Sequence, residues 1–269
     1  AGVKDYMLAI TSIKPRDYQI QGVYDALKYN RRLIISPTGS GKSLMIYAVT
    51  RYHVGRKRRI LLVVPTTSLV EQMYKDFIEY GWDVEKYCHR VYAGRKRTTP
   101  QRVTISTWQS IYKMDKKWFS QFDVIIGDEA HQFKSKSLIG IMSKLRDTKY
   151  RYGFTGTLSG AQTHKWVLEG LFGPSYKVTQ TKDLIDKGHL SKLDIRIIVL
   201  KHEPRQFETY QEEINYIISH EKRNNFIKNL ALSLQGNTLI LFSRVEAHGE
   251  ILYESINSSV TDDRKVFFV

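Results

Sequence analysis

The segment Leu33–Ser43 constrains the fold more than any other part of the chain. Three aliphatic residues are followed by Ser-Pro-Thr-Gly-Ser-Gly-Lys-Ser, and apolar residues at helical spacing come next, from Leu44 onward. This order predicts a buried strand, a glycine loop and the first turns of a helix. Backbone N–H groups converge at a helix N-terminus, and glycines let a bound group approach without meeting a Cβ. The segment therefore predicts a phosphate-binding loop.

Two side chains of the loop extend this prediction. Lys42 would place a positive charge near the β and γ phosphates of a nucleotide, and the hydroxyl of Ser43 would be a ligand for Mg²⁺. The strict pattern has glycine at the first loop position, where this chain has Ser36. The alternative interpretation is a Gly/Ser turn beside an unrelated lysine. The preceding strand and the following helix favour the phosphate loop, because that motif requires this context.

Composition narrows the class of protein. A hydrophobic content of 42% is enough for a packed core. The net charge of +15 indicates a polyanionic partner such as nucleic acid, although solvated lysine faces give the same excess. The single cysteine, Cys88, excludes an intramolecular disulfide and a multi-cysteine zinc site, and it fits a reduced, cytoplasmic setting. Apolar runs such as Ile60–Pro65 are too short to span a bilayer, so we expect no membrane association.

The order of apolar and polar segments predicts the fold class. Ile60–Pro65 is apolar without alternation, which is typical of a strand covered on both faces in a parallel sheet. Val103–Ser106, Asp123–Gly127 and Arg151–Phe154 are further strand-like runs, and each leads into a polar loop. Repetition of strand, loop and helix predicts a doubly wound α/β domain with a parallel sheet, whose functional loops gather at one edge.

A change of pattern near residue 190 predicts a second domain. Strands are predicted at Leu193–Leu200, Leu239–Phe242 and Val266–Val269, and helices at Tyr210–Leu234 and Val245–Ile256. We therefore expect a first domain over residues 1–190, and a linker with the opening elements of a second α/β domain over residues 191–269. Because the chain ends on an apolar strand, we expect it to be a fragment of a longer protein.

An acidic pair follows one of the predicted strands. Asp128 can hold Mg²⁺ directly or through water, and Glu129 can orient and deprotonate an attacking water molecule. The alternative is an exposed acidic pair at a strand end. His131 follows closely, and by itself it is equally compatible with a buried, hydrogen-bonded histidine. These residues predict a hydrolytic site beside the phosphate loop.

Five segments in this order resemble motifs I, Ia, Ib, II and III of the superfamily 2 helicases: Ser36–Ser43, Pro65–Gln72, Ser106–Ser110, Asp128–His131 and Thr155–Thr157. Arg16–Gln19 is similar to the segment that reads adenine in this family, and Leu239–Gly249 is similar to motif IV. Segments between Trp118 and Asn224 resemble, more narrowly, a phage helicase of recombination and repair. The resemblance implies a RecA-like core that uses ATP and Mg²⁺.

The resemblance also implies roles for individual residues. It assigns catalysis to Lys42, Asp128 and Glu129, and Mg²⁺ binding to Ser43 and Asp128. It assigns the coupling of hydrolysis to domain movement to His131, Thr155 and Thr157. ATP binding falls to Arg16, Gln19, Pro37, Thr38, Gly39, Ser40, Gly41, Lys42 and Ser43. Contacts with DNA fall to Pro65, Thr66, Thr107 and Trp108.

Some of these positions keep a second interpretation. Gln19 alone reads as a surface glutamine, although its amide could pair with adenine. Trp108 could stack on a base or belong to the core. The basic runs Arg56–Arg59 and Arg95–Arg97 are solvated faces unless one of them lies at the same edge as motifs Ia and Ib, in which case we expect it to track phosphates.

The resemblance implies a monomeric, ATP-dependent DNA helicase or translocase that acts on single-stranded or branched DNA, including forks, recombination intermediates and RNA–DNA loops. Alternatives are an RNA helicase or double-strand translocase of the same superfamily, a nucleotide-gated binding module without turnover and, more remotely, a small-molecule kinase. The family places two arginines in a motif later than Val269, and such an arginine contributes about 10³–10⁵ in rate. We therefore expect this chain to bind ATP and to hydrolyse it slowly or not at all.

Overall fold

The computed structural model of the chain describes residues 2–156, 158, 162–201, 203, 205–261 and 263–269. The chain forms two compact units, Ala1–Leu193 and Asp194–Val269. No helix in these described ranges is long and apolar enough to cross a membrane.

The described part of the first unit contains a seven-stranded sheet and the helices that cover it. Its strands are β1 (Arg31–Ile35), β2 (Ile60–Val64), β3 (Cys88–Val91), β4 (Val103–Thr107), β5 (Val124–Gly127), β6 (Tyr150–Thr155) and β7 (Ser175–Lys177). The helices are α1 (Gly2–Ile10), α2 (Asp17–Lys28), α3 (Lys42–Gly55), α4 (Thr67–Glu79), α5 (Val84–Tyr87), α6 (Trp108–Ile111), α7 (Lys116–Phe119), α8 (Lys136–Lys144), α9 (Gln162–Phe172) and α10 (Thr181–Asp186). A 3₁₀ segment spans Ala130–Lys134.

The sheet confirms the predicted fold class. The strand order is β3-β4-β2-β5-β6-β1-β7, and every neighbouring pair runs parallel. All carboxyl ends therefore lie at one edge, where the loops after β1, β2, β4, β5 and β6 meet. The central strand β2 is buried at all five residues, which is why its sequence is apolar without alternation.

The side chains of successive strand residues pack into two separate hydrophobic cores, one on each face of the sheet. Ile60 and Leu62 of β2 pack with α1, α2, α3 and α4 on one face, whereas Leu61 and Val63 pack with α6, α7, α8 and α9 on the other. The period of two along a strand sends successive side chains to opposite faces. The unit is therefore a three-layer α/β/α structure, with the functional edge left open between the helical layers.

Two glycines let the 3₁₀ segment lie close against the sheet. A Cβ at Gly127 would come within 2.8 Å of Phe133, and one at Gly153 would come within 2.9 Å of Phe172. These glycines are partners across β5 and β6. Their missing side chains make room for the two aromatic rings, and this packing fixes the backbone that carries the acidic pair.

The second unit is helical in its described part. It contains α11 (Tyr210–Ser219), α12 (Glu221–Ser233), a π-helical segment at Val245–Glu250 and α13 (Ile251–Asn257). The predicted helix Tyr210–Leu234 is two helices, because His220 leaves the helical region (φ −67°, ψ 106°) and its imidazole accepts a hydrogen bond from Arg223 N–H at 3.2 Å. The predicted helix over Val245–Ile256 is confirmed, with π geometry in its first half.

The strands predicted at Leu193–Leu200, Leu239–Phe242 and Val266–Val269 are wrong for this structure, since none of these described segments is a strand. A strand needs a neighbour that pairs its N–H and C=O groups. Apolar character alone does not supply that ladder, and side chains such as Ile197 and Leu241 are 85% and 84% exposed. The assignment of this unit to a second RecA-like domain stays a prediction.

A buried histidine gives the first unit a pH-dependent stability. His53 of α3 is completely buried. Its Nδ1 accepts a hydrogen bond from the Arg58 guanidinium at 2.8 Å, since that group can only donate, so Nε2 carries the proton and faces the Tyr152 hydroxyl at 3.1 Å. Burial, followed by the charges of Arg58 and Arg56, lowers the pKa of His53 to about 3.

We expect His53 to weaken the fold as the pH falls. The unfolded chain takes up this proton near pH ~6.5, while the native imidazole resists it down to a pKa of about 3. The stabilisation is therefore present above the unfolded pKa and is lost as the pH falls toward the folded one, at up to about 1.4 kcal/mol per pH unit. In urea unfolding below that unfolded pKa, His53→Gln should lose unfolding free energy less steeply with falling pH than the parent chain. The partly exposed His89→Gln is the matched control, and equal pH slopes for all three proteins would contradict the expectation.

Candidate nucleotide-binding site

The loop between β1 and α3 has the backbone of a phosphate cradle. Gly39 and Gly41 both have φ +77°, a conformation that glycine adopts without strain. Side chains at these positions would collide with Leu190 and with the Gln19 amide, respectively. Gly41 is also the N-cap of α3, whose first-turn N–H groups have no acceptor within the helix.

Serine at the first loop position has a structural role. Ser36 is completely buried, and its N–H donates to the carbonyl of Thr155 at 2.8 Å. Its hydroxyl lies 2.6 Å from the hydroxyl of Ser40, which in turn donates to the carbonyl of Pro37. The hydroxyl at the position where glycine was expected therefore takes part in a buried chain of hydrogen bonds inside the loop.

The segment before α2 holds this loop in place. The Gln19 amide is 4% exposed and donates to the carbonyls of Ser40 at 2.9 Å and Gly41 at 3.4 Å, while its oxygen accepts from the N–H of Arg16 at 2.8 Å. Tyr18 also donates to Ser40 O at 2.8 Å. Gln19 is thus a buried link to the phosphate loop and not a surface glutamine. Its adenine contact stays a prediction.

The central contact of the site joins the loop to the acidic pair. Lys42 Nζ lies 2.7 Å from Glu129 Oε1, in an ion pair of which both side chains are largely buried. Glu129 has φ +47°, which is uncommon outside glycine and turns its carboxylate toward the loop. The other oxygen of Glu129 lies 3.3 Å from His131 Nδ1. Lysine and glutamate from the predicted motifs I and II therefore meet directly.

His131 connects the acidic pair with β6. Its Nδ1 is also 3.0 Å from the Thr155 hydroxyl at the end of β6. The structure thus brings together Glu129, His131 and Thr155, three of the residues assigned to catalysis and coupling. Thr157, the remaining coupling residue, lies outside the described residues.

Asp128 has the properties of a magnesium ligand. Its side chain is buried, and burial raises the pKa of its carboxyl, an effect that the Lys42 ammonium and the Glu129 amide partly oppose. Oδ1 accepts the Glu129 N–H at 2.9 Å, while Oδ2 forms no hydrogen bond with any described residue. A buried carboxylate with an uncommitted oxygen suits a cation, and Mg²⁺ needs only one or two protein carboxylates besides substrate phosphates. The described residues contain no larger cluster of metal-binding side chains.

The second predicted magnesium ligand has an unexpected neighbour. The hydroxyl of Ser43, in the first turn of α3, lies 2.7 Å from the hydroxyl of Tyr80, the C-cap residue of α4. Its role toward the metal stays a prediction. Together with Asp128 and the cradle, these groups fit a magnesium-bound nucleoside triphosphate: backbone donors for phosphates, one cation and two oxygen ligands.

The predicted DNA contacts follow β2 and β4. Thr66 is the exposed N-cap of α4, and its hydroxyl accepts from Leu69 N–H at 3.3 Å. Thr107 is the N-cap of α6, and its hydroxyl lies 2.8 Å from that of Ser110. Pro65 precedes Thr66, at the carboxyl end of the same strand. These residues share one edge with the nucleotide site.

Trp108 keeps both of its interpretations. It is half-buried against the core on the α6 face and lies edge-on to Tyr112, with ring centroids 6.0 Å apart. The exposed remainder of the ring lies at the same edge as Thr107. Stacking on a base therefore stays a prediction.

Sheet topology separates the two basic runs. Arg95–Arg97 follows β3 and starts at the edge that carries Thr66 and Thr107, whereas Arg56–Arg59 precedes β2 and lies at the opposite edge. The Lys96 carbonyl is held by His89 Nε2 at 2.7 Å. The first run therefore begins nearer to the predicted DNA contacts, and phosphate tracking by it stays a prediction.

Sequence reasoning missed Tyr18 and Tyr80. The hydroxyl of Tyr18 holds the loop through the Ser40 carbonyl, and the position of Tyr18 beside Gln19 was the available signal. Tyr80 contacts Ser43 from 37 residues away, so nothing local in the sequence marks it.

Known proteins are similar to this chain in sequence. The family model described as "Type III restriction enzyme, res subunit" matches residues 12–160. The "ATP-dependent DNA helicase uvsW" of Enterobacteria phage T4 is 32% identical over 96% of this chain and 53% of the relative. The "DNA 3'-5' translocase XPB2" of Sulfurisphaera tokodaii is 27% identical over 94% of this chain and 56% of the relative. The chain thus spans about half the length of the curated relatives it matches.

Solved structures show the same fold. A crystal structure of T4 UvsW aligns with 93% of this chain and 51% of that chain, at 28% identity and a TM-score of 0.57. The helicase domain of Pyrococcus furiosus Hef aligns with 92% of this chain and 54% of that chain, at 17% identity and a TM-score of 0.54, and this likeness concerns the fold alone. The fold is an α/β RecA-like helicase core. The family model covers more than half of the sequence, so the chain belongs to the family of the type III restriction enzyme res subunit, within the superfamily 2 helicases, and is related to UvsW of phage T4.

Proposed function

We propose that this chain is the ATP-binding motor portion of a DNA helicase or translocase. The observation that carries the proposal is the 2.7 Å contact between Lys42 and Glu129, which places a phosphate-binding cation beside a general base. Asp128 adds a buried carboxylate next to them. A loop that only bound phosphate would not need that base. The arrangement therefore favours hydrolysis over simple nucleotide binding.

DNA is the favoured polymer for two reasons. The two relatives are named as a DNA helicase and as a DNA translocase. The predicted contacts at Thr66 and Thr107 lie at helix N-termini, whose N–H groups and hydroxyls contact phosphates without reading sequence. We further propose that branched DNA, such as forks, recombination intermediates and RNA–DNA loops, is the substrate, as the likeness to UvsW suggests.

Each residue of the site has a distinct task in this proposal. Bound MgATP would supply the phosphoanhydride bond to be cleaved. Lys42 would exchange Glu129 for phosphate oxygens, which frees the carboxylate to accept a proton from water. His131 and Thr155 would hold the released carboxylate in place, since His131 already contacts both.

Substitution of Lys42 and substitution of Glu129 should have different effects on nucleotide binding and hydrolysis. Lys42→Ala should lower the affinity for a fluorescent ATP analogue at least tenfold, because it removes the cation that meets the phosphates. Glu129→Gln should keep or raise that affinity, because Lys42 no longer has a competing carboxylate. In a chain extended through the rest of its relatives' length, where turnover is expected to be measurable, ATP hydrolysis by Glu129→Gln should fall about 10²–10⁴-fold, the usual contribution of a general base.

Nucleotide binding is measured by fluorescence titration. Phosphate release is measured separately, with and without single-stranded and forked DNA. If Glu129→Gln lost affinity as Lys42→Ala does, the carboxylate would belong to the binding site and not to the hydrolytic step. The nucleotide-gated binding module would be favoured by a different result. In that case ATP would change the affinity for DNA, but no phosphate would be released, even by a chain extended through the rest of its relatives' length. Equal stimulation by ribose and deoxyribose strands would remove the preference for DNA.

The basic run at the functional edge should contribute to DNA binding. Each lost phosphate contact lowers the salt dependence of single-strand binding by about 0.7 in the slope of log K against log salt. We expect Arg95→Gln/Lys96→Gln to reduce this slope by about 1.4. The matched control is Arg56→Gln/Lys57→Gln, which removes the same charge at the opposite edge and should leave the slope unchanged.

Fluorescence anisotropy of a labelled single strand at several salt concentrations gives both slopes. Equal reductions in the two double variants would mean that the effect is one of net charge, and the location at the functional edge would then have no special role.

A further inference from the structure

The hydrogen bond between Ser43 and Tyr80 has no role in the function proposed so far. Ser43 lies in the first turn of α3, directly after Lys42, and Tyr80 ends α4. Their hydroxyl oxygens are 2.7 Å apart. The contact joins residues that are 37 positions apart, and it involves a side chain that the proposed function assigns to Mg²⁺.

The ring of Tyr80 is held rigidly. Tyr80 is 8% exposed, and its ring packs against that of Tyr47 with centroids 5.1 Å apart. Its N–H donates to the carbonyl of Asp76 at 2.9 Å, which completes the end of α4. The phenol oxygen therefore has a fixed position, so Ser43 adapts to Tyr80 and not the reverse.

The donor and acceptor capacity of the two hydroxyls determines what this contact can do. A tyrosine phenol carries its proton at neutral pH. When Tyr80 donates that proton, it occupies one lone pair of Ser43. The serine then retains one lone pair for a cation and its own proton for a phosphate oxygen. The contact is thus compatible with metal binding and fixes the rotation of the serine hydroxyl.

We propose that Tyr80 is a positioning residue that orients the Ser43 hydroxyl for Mg²⁺. Groups that hydrogen-bond to metal ligands fix the direction of the ligand's lone pairs, and their loss typically lowers metal affinity about 10–100-fold. The proposal rests on the proposed function, because it requires that Ser43 and Asp128 hold the magnesium that accompanies ATP.

The test removes the phenol hydroxyl and keeps the buried ring. In Tyr80→Phe, the Mg²⁺ concentration that half-saturates binding of a fluorescent, non-hydrolysable ATP analogue should rise about tenfold. Affinity for the same analogue in the presence of EDTA should not change, because the phosphate cradle is intact. Tyr74→Phe is the matched control: Tyr74 lies on α4, is 9% exposed and forms no hydrogen bond with Ser43, so the Mg²⁺ requirement of this variant should equal that of the parent chain.

A double variant separates orientation from a general structural effect. Ser43→Ala should raise the Mg²⁺ requirement, and adding Tyr80→Phe to it should cause no further rise, because Tyr80 acts only through the serine. Independent, additive rises would overturn the proposal.

Two other results would also overturn it. One is an unchanged or lower Mg²⁺ requirement in Tyr80→Phe; a lower one would mean that Tyr80 withholds Ser43 from the metal. The other is an equal loss of affinity with and without Mg²⁺, which would mean that Tyr80 supports only the fold. If the parent chain bound the analogue without any effect of Mg²⁺, the proposed function itself would fail at the metal site.

Discussion

The ion pair between Lys42 and Glu129 depends on the register of three parallel strands. β1 pairs with β6 and β6 with β5, so the loop after β1 and the acidic pair after β5 leave the sheet at the same edge, about 10 Å apart across the strands. A long lysine and a glutamate in a left-handed conformation bridge that distance. Each charge neutralises the other. In the proposed function, a phosphate that bound Lys42 would replace this contact and release Glu129, so nucleotide binding and exposure of the base would occur together.

Much of this arrangement could be predicted from the sequence because the information is local. The phosphate loop is a contiguous segment whose glycines mark the two positions with positive φ. The apolar run at Ile60 predicts a doubly covered strand, and parallel strands bring their following loops to one edge. The acidic pair could be placed beside the loop for the same reason. The direct contact of Lys42 with Glu129 could not, since it depends on strand order, which short segments do not encode.

The parts that could not be predicted depend on distant contacts. The amide of Gln19 looks like a surface group in the sequence, but the folded chain buries it under two loop carbonyls. Ser36 looks like a departure from a motif, yet its hydroxyl completes the loop. Conversely, Leu239–Phe242 has the composition of a strand and is not one, because a strand needs a pairing partner in addition to apolar side chains. The composition of a segment predicts which secondary structures it can form, and the segments packed beside it in the fold determine which of them it forms.

The order of the strands also determines how the two candidate surfaces are related. β2 lies directly beside β5, so the predicted DNA contact at Thr66 and the predicted metal ligand Asp128 follow adjacent strands, about 4.8 Å apart in the sheet. The N–H of Asp128 donates to the carbonyl of Val63 at 2.9 Å, which ties the two strand ends together. Thr66 is the N-cap of helix α4 and Tyr80 is its C-cap, and the Tyr80 hydroxyl lies 2.7 Å from that of Ser43. This helix therefore has its N-cap among the predicted DNA contacts and its C-cap against the predicted nucleotide loop. In the proposed function, a shift of α4 along its axis would move both ends, which gives one physical route for coupling between DNA and nucleotide.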